Sequence, residues 1–130
     1  MKLFLDTANL SQIQDAMDKG VIQGVTTNPS LLAKEPKTDF YKHIKKIVDL
    51  CKNYNNGVPL SVEVFSMNPD EMINQAKEIT KELDYDKLNI KVPVGFEELR
   101  VIKELSQQNI KVNCTCCFTA TQMQLAALAG

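Results

Sequence analysis

A parallel β-sheet covered by α-helices, one α/β domain spanning residues 1–130, is the fold that the sequence predicts, and three features predict it. Short β-rich runs alternate with stretches of helical spacing along the whole chain. The alternation repeats five times, as consecutive βα units do. Each strand-like run also carries a polar residue toward its C-terminal end, which is where sites lie in folds of this class.

The elements follow in order. A first strand is expected at 2–6. Asn9 is placed to cap a helix over about 10–19, with Gln12 at the capping-box position. A second strand covers 22–27 and runs into Thr27-Asn28-Pro29. The next helix shows Phe40, Ile44, Ile47, Val48 and Cys51 on one stripe, and Asn56-Gly57 marks the turn after it. A third strand lies at 60–65. Asn68-Pro69-Asp70-Glu71 opens a helix with a cap, a proline in the first turn and acids near its positive end. Met72, Ala76, Ile79 and Leu83 form the apolar face of that helix. The fourth strand is 88–94, followed by a helix with Leu99, Ile102 and Leu105 in phase. The fifth strand is expected at 111–118. Thr119-x-x-Gln122 then opens the last helix, with Gly130 at its end as a C′ residue.

Two architectures compete for this pattern. A flavodoxin-like doubly wound sheet uses five units and suits 130 residues. A (β/α)8 TIM barrel uses eight units and typically takes about 250 residues. Length alone favours the first.

Composition narrows the function. Hydrophobic residues make up 44% and charged residues 24%, ordinary for a globular chain. The formal net charge is −1 and no basic stripe is present, so nucleic acid and anionic membranes are not expected partners. No apolar run approaches the roughly 20 residues of a membrane helix, and the N-terminus turns acidic too early for a signal peptide. A cytoplasmic location is expected. Of the four cysteines, Cys114 and Cys117 form a C-x-x-C spacing, which can bind zinc or run redox chemistry. In an extended strand residues three apart point to opposite faces, and His43 is the only histidine. The cysteines are therefore expected to be reduced core residues, with no metal bound.

The strand-end polar residues are Asp6, Thr26 and Asn28, Glu63, Lys91, and Asn113 with Thr115. Parallel strands are buried on both faces and should be almost wholly apolar. So many polar side chains at one end of a sheet are hard to explain as packing, because each must be hydrogen-bonded or cost a few kcal/mol. Lys91 says most. Alternation in Leu88-Asn89-Ile90-Lys91-Val92-Pro93 puts it opposite Leu88, Ile90 and Val92. Desolvation disfavours an ammonium, so a lysine enclosed away from water becomes a usable amine nucleophile toward a ketone. Two plainer readings stay open: an edge lysine reaching solvent, or a lysine locked to Glu63, an ion pair that would favour the ammonium and silence the amine. Schiff-base chemistry also needs a proton shuttle. Asp6 and Glu63 are the carboxylates available for it. Thr115 suits a bound water, and Asn28, Asn113 and Thr26 suit substrate hydroxyls. Taken alone, Asp6 also reads as a cap or turn former and Asn28 as a turn residue before Pro29.

Leu5-Asp6-Thr7-Ala8-Asn9, Gly24-Val25-Thr26-Thr27-Asn28-Pro29-Ser30 and Ile90-Lys91-Val92-Pro93 resemble the motifs of the transaldolase family, in particular its small transaldolase and fructose-6-phosphate aldolase subgroup. Ser61-x-Glu63-Val64 and Asn113-x-Thr115 fit in the same order. The resemblance covers essentially the whole chain and implies a (β/α)8 TIM barrel of which five βα units are present. It implies Lys91 as the imine-forming lysine and Asp6 as the acid/base, with Glu63 and Thr115 around the catalytic water. It further implies that Asn28, Asn113 and Thr26 line the sugar site and that no metal or organic cofactor takes part.

The aldolase branch usually carries glutamine where Glu63 stands. The carboxylate therefore looks more like transaldolases, which move a dihydroxyacetone unit between sugar phosphates in the pentose phosphate pathway. Sedoheptulose 7-phosphate and glyceraldehyde 3-phosphate would be one substrate pair, erythrose 4-phosphate and fructose 6-phosphate the other. Relatives continue for roughly 80–90 residues more, in keeping with eight units, and carry there the phosphate-binding arginines, an aromatic residue near the imine and an oligomer-forming helix. The chain is accordingly expected to be a piece of a longer product or a homo-oligomer of fragments, because five strands cannot close a cylinder. A receiver- or flavodoxin-like binding module and a non-catalytic remnant are the competing functions.

Overall fold

The computed structural model describes residues 1–130. The elements run β1 (Phe4–Asp6), α1 (Leu10–Asp18), β2 (Gly24–Thr26), α2 (Pro29–Leu32), α3 (Phe40–Asn53), β3 (Leu60–Glu63), α4 (Pro69–Leu83), β4 (Leu88–Pro93), α5 (Glu98–Gln107), β5 (Val112–Thr115) and α6 (Ala120–Ala129). All five expected strands and helices are present, the strands shorter than expected at one or both ends. The short α2 is an addition. The strands form one sheet in the order β1-β2-β3-β4-β5, and the pairs β1–β2, β2–β3 and β4–β5 are parallel. A flavodoxin-like sheet has the order 2-1-3-4-5. Strict sequential order is that of consecutive barrel units, so the length argument for a doubly wound sheet is overturned.

The chain falls into two compact units, one of residues 1–62 with 82–88 and one of residues 63–81 with 89–130. In the first, Ile13 and Met17 of α1 and Ile44, Ile47, Val48 and Cys51 of α3 are buried with Val25 and Leu60 of the strands. Asp39 caps α3 through a bond from the Lys42 N–H at 2.9 Å. Asn9 caps α1 by accepting from the Gln12 N–H at 3.0 Å. The capping box is not completed there: the Gln12 side chain accepts from Thr7 Oγ1 at 2.7 Å, and the Asn9 N–H goes to that same threonine at 3.2 Å. Phe4 and Gly24 are paired across β1 and β2. The Phe4 ring lies over Gly24 so closely that any Cβ at residue 24 would enter the ring's space.

In the second unit, Met72, Ile73, Ala76 and Ile79 of α4 are buried, as are Ile90 and Val92 of β4 and Val101, Ile102 and Leu105 of α5. Asn68 caps α4 by accepting from the Asp70 and Glu71 N–H groups at 2.9 and 3.2 Å. Here the expected capping box of α6 does form: the Gln122 N–H donates to Thr119 Oγ1, and the Gln122 side chain accepts from the Thr119 N–H. No helix is long and apolar enough to cross a membrane.

Cys51 is the one core cysteine. It is fully buried, and burial pushes its thiol from 9.0 up to about 12. Unfolding therefore releases a proton above pH 9 that the folded chain keeps. The contribution is complete below that pH and drains away as pH climbs toward 12. The urea midpoint is expected to fall between pH 9 and 11, and by less in Cys51→Ala than in the parent when each is compared with its own value at pH 8.

Candidate active site

The strand-end polar residues divide between the two units. In the first, Asp6 and Thr26 are the last residues of β1 and β2 and are register partners. Thr26 Oγ1 donates to Asp6 Oδ1 at 2.7 Å. Asp6 is therefore neither a cap nor a turn former; it is an exposed carboxylate at a strand tip with one oxygen held by a hydroxyl. The backbone behind it is fixed. The Thr7 N–H donates to the Thr26 carbonyl at 3.0 Å, and buried His43 of α3 places Nε2 2.8 Å from the Ala8 carbonyl oxygen. Thr27, fully buried, donates through Oγ1 to the Ser61 carbonyl at 3.1 Å. Asn28 is the N-cap of α2, its Oδ1 accepting from the Leu31 N–H at 2.9 Å with Pro29 at N1. That is the helix-start version of the turn reading, and it commits one side of the amide to the backbone.

The second unit contains the chemistry-bearing pair. Lys91, in β4, is 7% exposed. Its Nζ lies 3.1 Å from Glu63 Oε2, and the side chains are 9% and 19% exposed. Alternation along β4 predicts a lysine opposite the apolar row, and Lys91 is indeed buried between Ile90 and Val92, themselves fully buried. Burial removes the reading of an edge lysine reaching solvent. The ion pair with Glu63, the other plain reading, is present. Beside it, register sets Asn113 opposite Lys91 and Thr115 opposite Pro93, so Asn113 and Thr115 share one face of β5 with Lys91 as their neighbour. Glu63, Lys91, Asn113 and Thr115 thus form one polar cluster at the C-terminal ends of β3, β4 and β5.

An ammonium cannot attack a carbonyl, so the amine must lose a proton before it can act, and Glu63 is the carboxylate 3.1 Å from its nitrogen. Groups of three or more side chains suited to a metal ion are absent.

The cysteines depart from expectation. All four are free, but Cys116 is exposed and Cys114 and Cys117 are half-buried, so only Cys51 is a core residue. β5 ends at Thr115, and Cys116 takes a left-handed φ of 63°. The assumption of an extended strand through 118 fails at that residue, and the Cys117 thiol turns back to donate to Cys114 Sγ at 3.5 Å. Thr7, Thr27 and Ser61, buried polar residues beside the expected ones, were not singled out by alternation. Their signal was only adjacency, Thr7 and Thr27 each following a strand-end polar residue.

Sequential parallel strands, with a buried lysine and a carboxylate at their C-terminal ends, define an α/β protein of the barrel kind. Comparison with known proteins makes this specific. The pattern described as Transaldolase/Fructose-6-phosphate aldolase matches residues 3–130, and the chain belongs to that family. The family's fold is the TIM barrel, of which the chain covers part. A "Probable transaldolase" of Clostridium kluyveri is 45% identical over 130 residues, all of this chain and 57% of that protein. One of Thermoanaerobacter sp. is also 45% identical, with 56% of its length covered. A "Probable transaldolase 1" of Bacillus cereus is 42% identical, with 57% covered. The chain thus spans a little over half the length of these relatives.

Proposed function

We propose that this chain carries the imine-forming half of a transaldolase, transferring a dihydroxyacetone unit between sugar phosphates through a Schiff base on Lys91. The observation that carries the proposal is a lysine buried near the C-terminal end of β4, with Asn113 and Thr115 on the neighbouring strand, in a chain of the transaldolase family. Glu63 takes the proton from Nζ, and the freed amine adds to the ketose carbonyl to give a carbinolamine. Loss of water, with Glu63 returning the proton and Thr115 holding the departing molecule, gives the imine. Asp6, oriented by Thr26, removes the proton from the hydroxyl beside the bond that breaks. The aldehyde leaves, and a second aldehyde adds to the enamine by the reverse steps. Asn113, Asn28 and Thr26 bind sugar hydroxyls. The donor pairs are those of the pentose phosphate pathway, sedoheptulose 7-phosphate with glyceraldehyde 3-phosphate and fructose 6-phosphate with erythrose 4-phosphate. No cofactor is required.

Fructose-6-phosphate aldolase activity is the second reading. It is favoured by the family's joint description, whereas the names of the three relatives favour transfer. A cytoplasmic location and an oligomeric state belong to the same proposal. Four free cysteines suit a reducing compartment. Exposed Phe118, Met123, Leu125 and Leu128 give the second unit an apolar surface of the sort that subunit contacts cover.

Borohydride reduction in the presence of fructose 6-phosphate tests the chemistry. The expected result is a stable mass increase that maps to Lys91 and requires the sugar. An unmodified Lys91 in a chain shown by circular dichroism to be folded sinks the proposal.

A further inference from the structure

We propose that Cys114 and Cys117 are a reversible dithiol–disulfide pair at the end of β5, oxidised by small-molecule disulfides. The geometry of the turn carries this. Cys116 adopts φ 63°, a region that few non-glycine residues occupy, and its reversal of the chain brings two sulfurs to 3.5 Å that a continuous strand would hold on opposite faces. A disulfide needs about 2.05 Å between sulfurs, so side-chain rotation has only about 1.5 Å to close. Both residues are half-buried rather than enclosed in the core.

The roles of the two thiols differ. Burial first, then the hydrogen bond from Cys117 and the neighbouring thiols, raise Cys114 to about 12, so it keeps its proton and is the poorer first attacker. In the proposed sequence Cys117 attacks one sulfur of the external disulfide, forming a mixed disulfide and releasing one thiolate, which takes up the Cys117 proton. Cys114 then gives its proton to solvent and attacks the Cys117 sulfur, expelling the second thiolate, which is protonated in turn. Two protein thiols are oxidised and one external disulfide is reduced to two thiols. The new bond encloses Thr115 and Cys116 in a small ring and fixes the end of β5, whose Thr115 is paired with Pro93 of β4.

The test uses the whole chain and oxidised glutathione under native conditions, with acid quench, alkylation of remaining thiols and peptide mapping. The parent and Cys116→Ser are expected to lose the mass of two hydrogens on the peptide holding 114 and 117, and to regain it with a thiol reductant. Closure should quicken as pH rises, because the attacking species is the thiolate. Cys114→Ser should stop at a mixed disulfide on Cys117. A bond to Cys116, ring closure in Cys114→Ser by another partner, or a parent chain left fully alkylatable would overturn the proposal. None of these outcomes depends on the sugar chemistry.

Discussion

Lys91→Met is expected to abolish the sugar-dependent borohydride adduct and to lower transfer or aldol activity by about 10⁴-fold or more, the order of loss found when a covalent nucleophile is removed. Methionine keeps a long unbranched stem in a site where the lysine side chain is 9% exposed, so packing is largely preserved while the amine is lost. Glu63, with 19% of its side chain exposed, can recover part of its hydration once the lysine is gone. The variant should therefore remain folded, which circular dichroism and a urea titration check. An Lys91→Met chain that still turns over sugar phosphates at a tenth of the parent rate would remove Lys91 from the mechanism.

Glu63→Leu is expected to destabilise the chain by about 3–5 kcal/mol, because removing one member of a buried pair leaves the other charge without its compensation. The effect should be read as a shift in the urea midpoint. The double variant Glu63→Leu/Lys91→Met should recover most of the loss, since replacing a buried pair by apolar groups of similar volume is often neutral. The chain supplies its own contrast. Lys45–Glu82, Lys77–Glu104 and Arg100–Asp70 have side chains 38–76% exposed, and exposed pairs contribute at most about 1 kcal/mol. If Glu63→Leu costs no more than truncation of Glu82, the Lys91–Glu63 contact is not an energetic pair at all. Glu63→Gln keeps an acceptor for the lysine but not a proton acceptor, so it should cost less stability while still slowing imine formation.

The order and type of the strands and long helices were legible because periodicity and caps state them locally. Asn68 and Asp39 are anchored within three residues of their own positions, and the Ile44–Ile47–Val48–Cys51 stripe depends only on helical spacing. Alternation also told that Lys91 faces away from Leu88, Ile90 and Val92. What it left open was whether Lys91 meets solvent, a substrate or Glu63, because that contact joins residues 28 positions apart on different strands. The Cys114–Cys117 contact was misread for a different reason. It hangs on one backbone angle at Cys116, and nothing in Cys-Thr-Cys-Cys announces a left-handed residue. Gln12 misled in the same way: the spacing of a capping box was correct, but Thr7 competes for its side chain.

Gly24 has a reach beyond its own position. The Phe4 ring rests on backbone that carries no side chain, and β1 is only three residues long. A methyl group at residue 24 would displace the aromatic ring, which is part-exposed and would turn outward, uncovering the β1–β2 pairing beneath it. Asp6 lies two residues further along that strand, so the bare backbone of Gly24 is what lets an aromatic ring shelter the start of the strand whose tip carries the carboxylate.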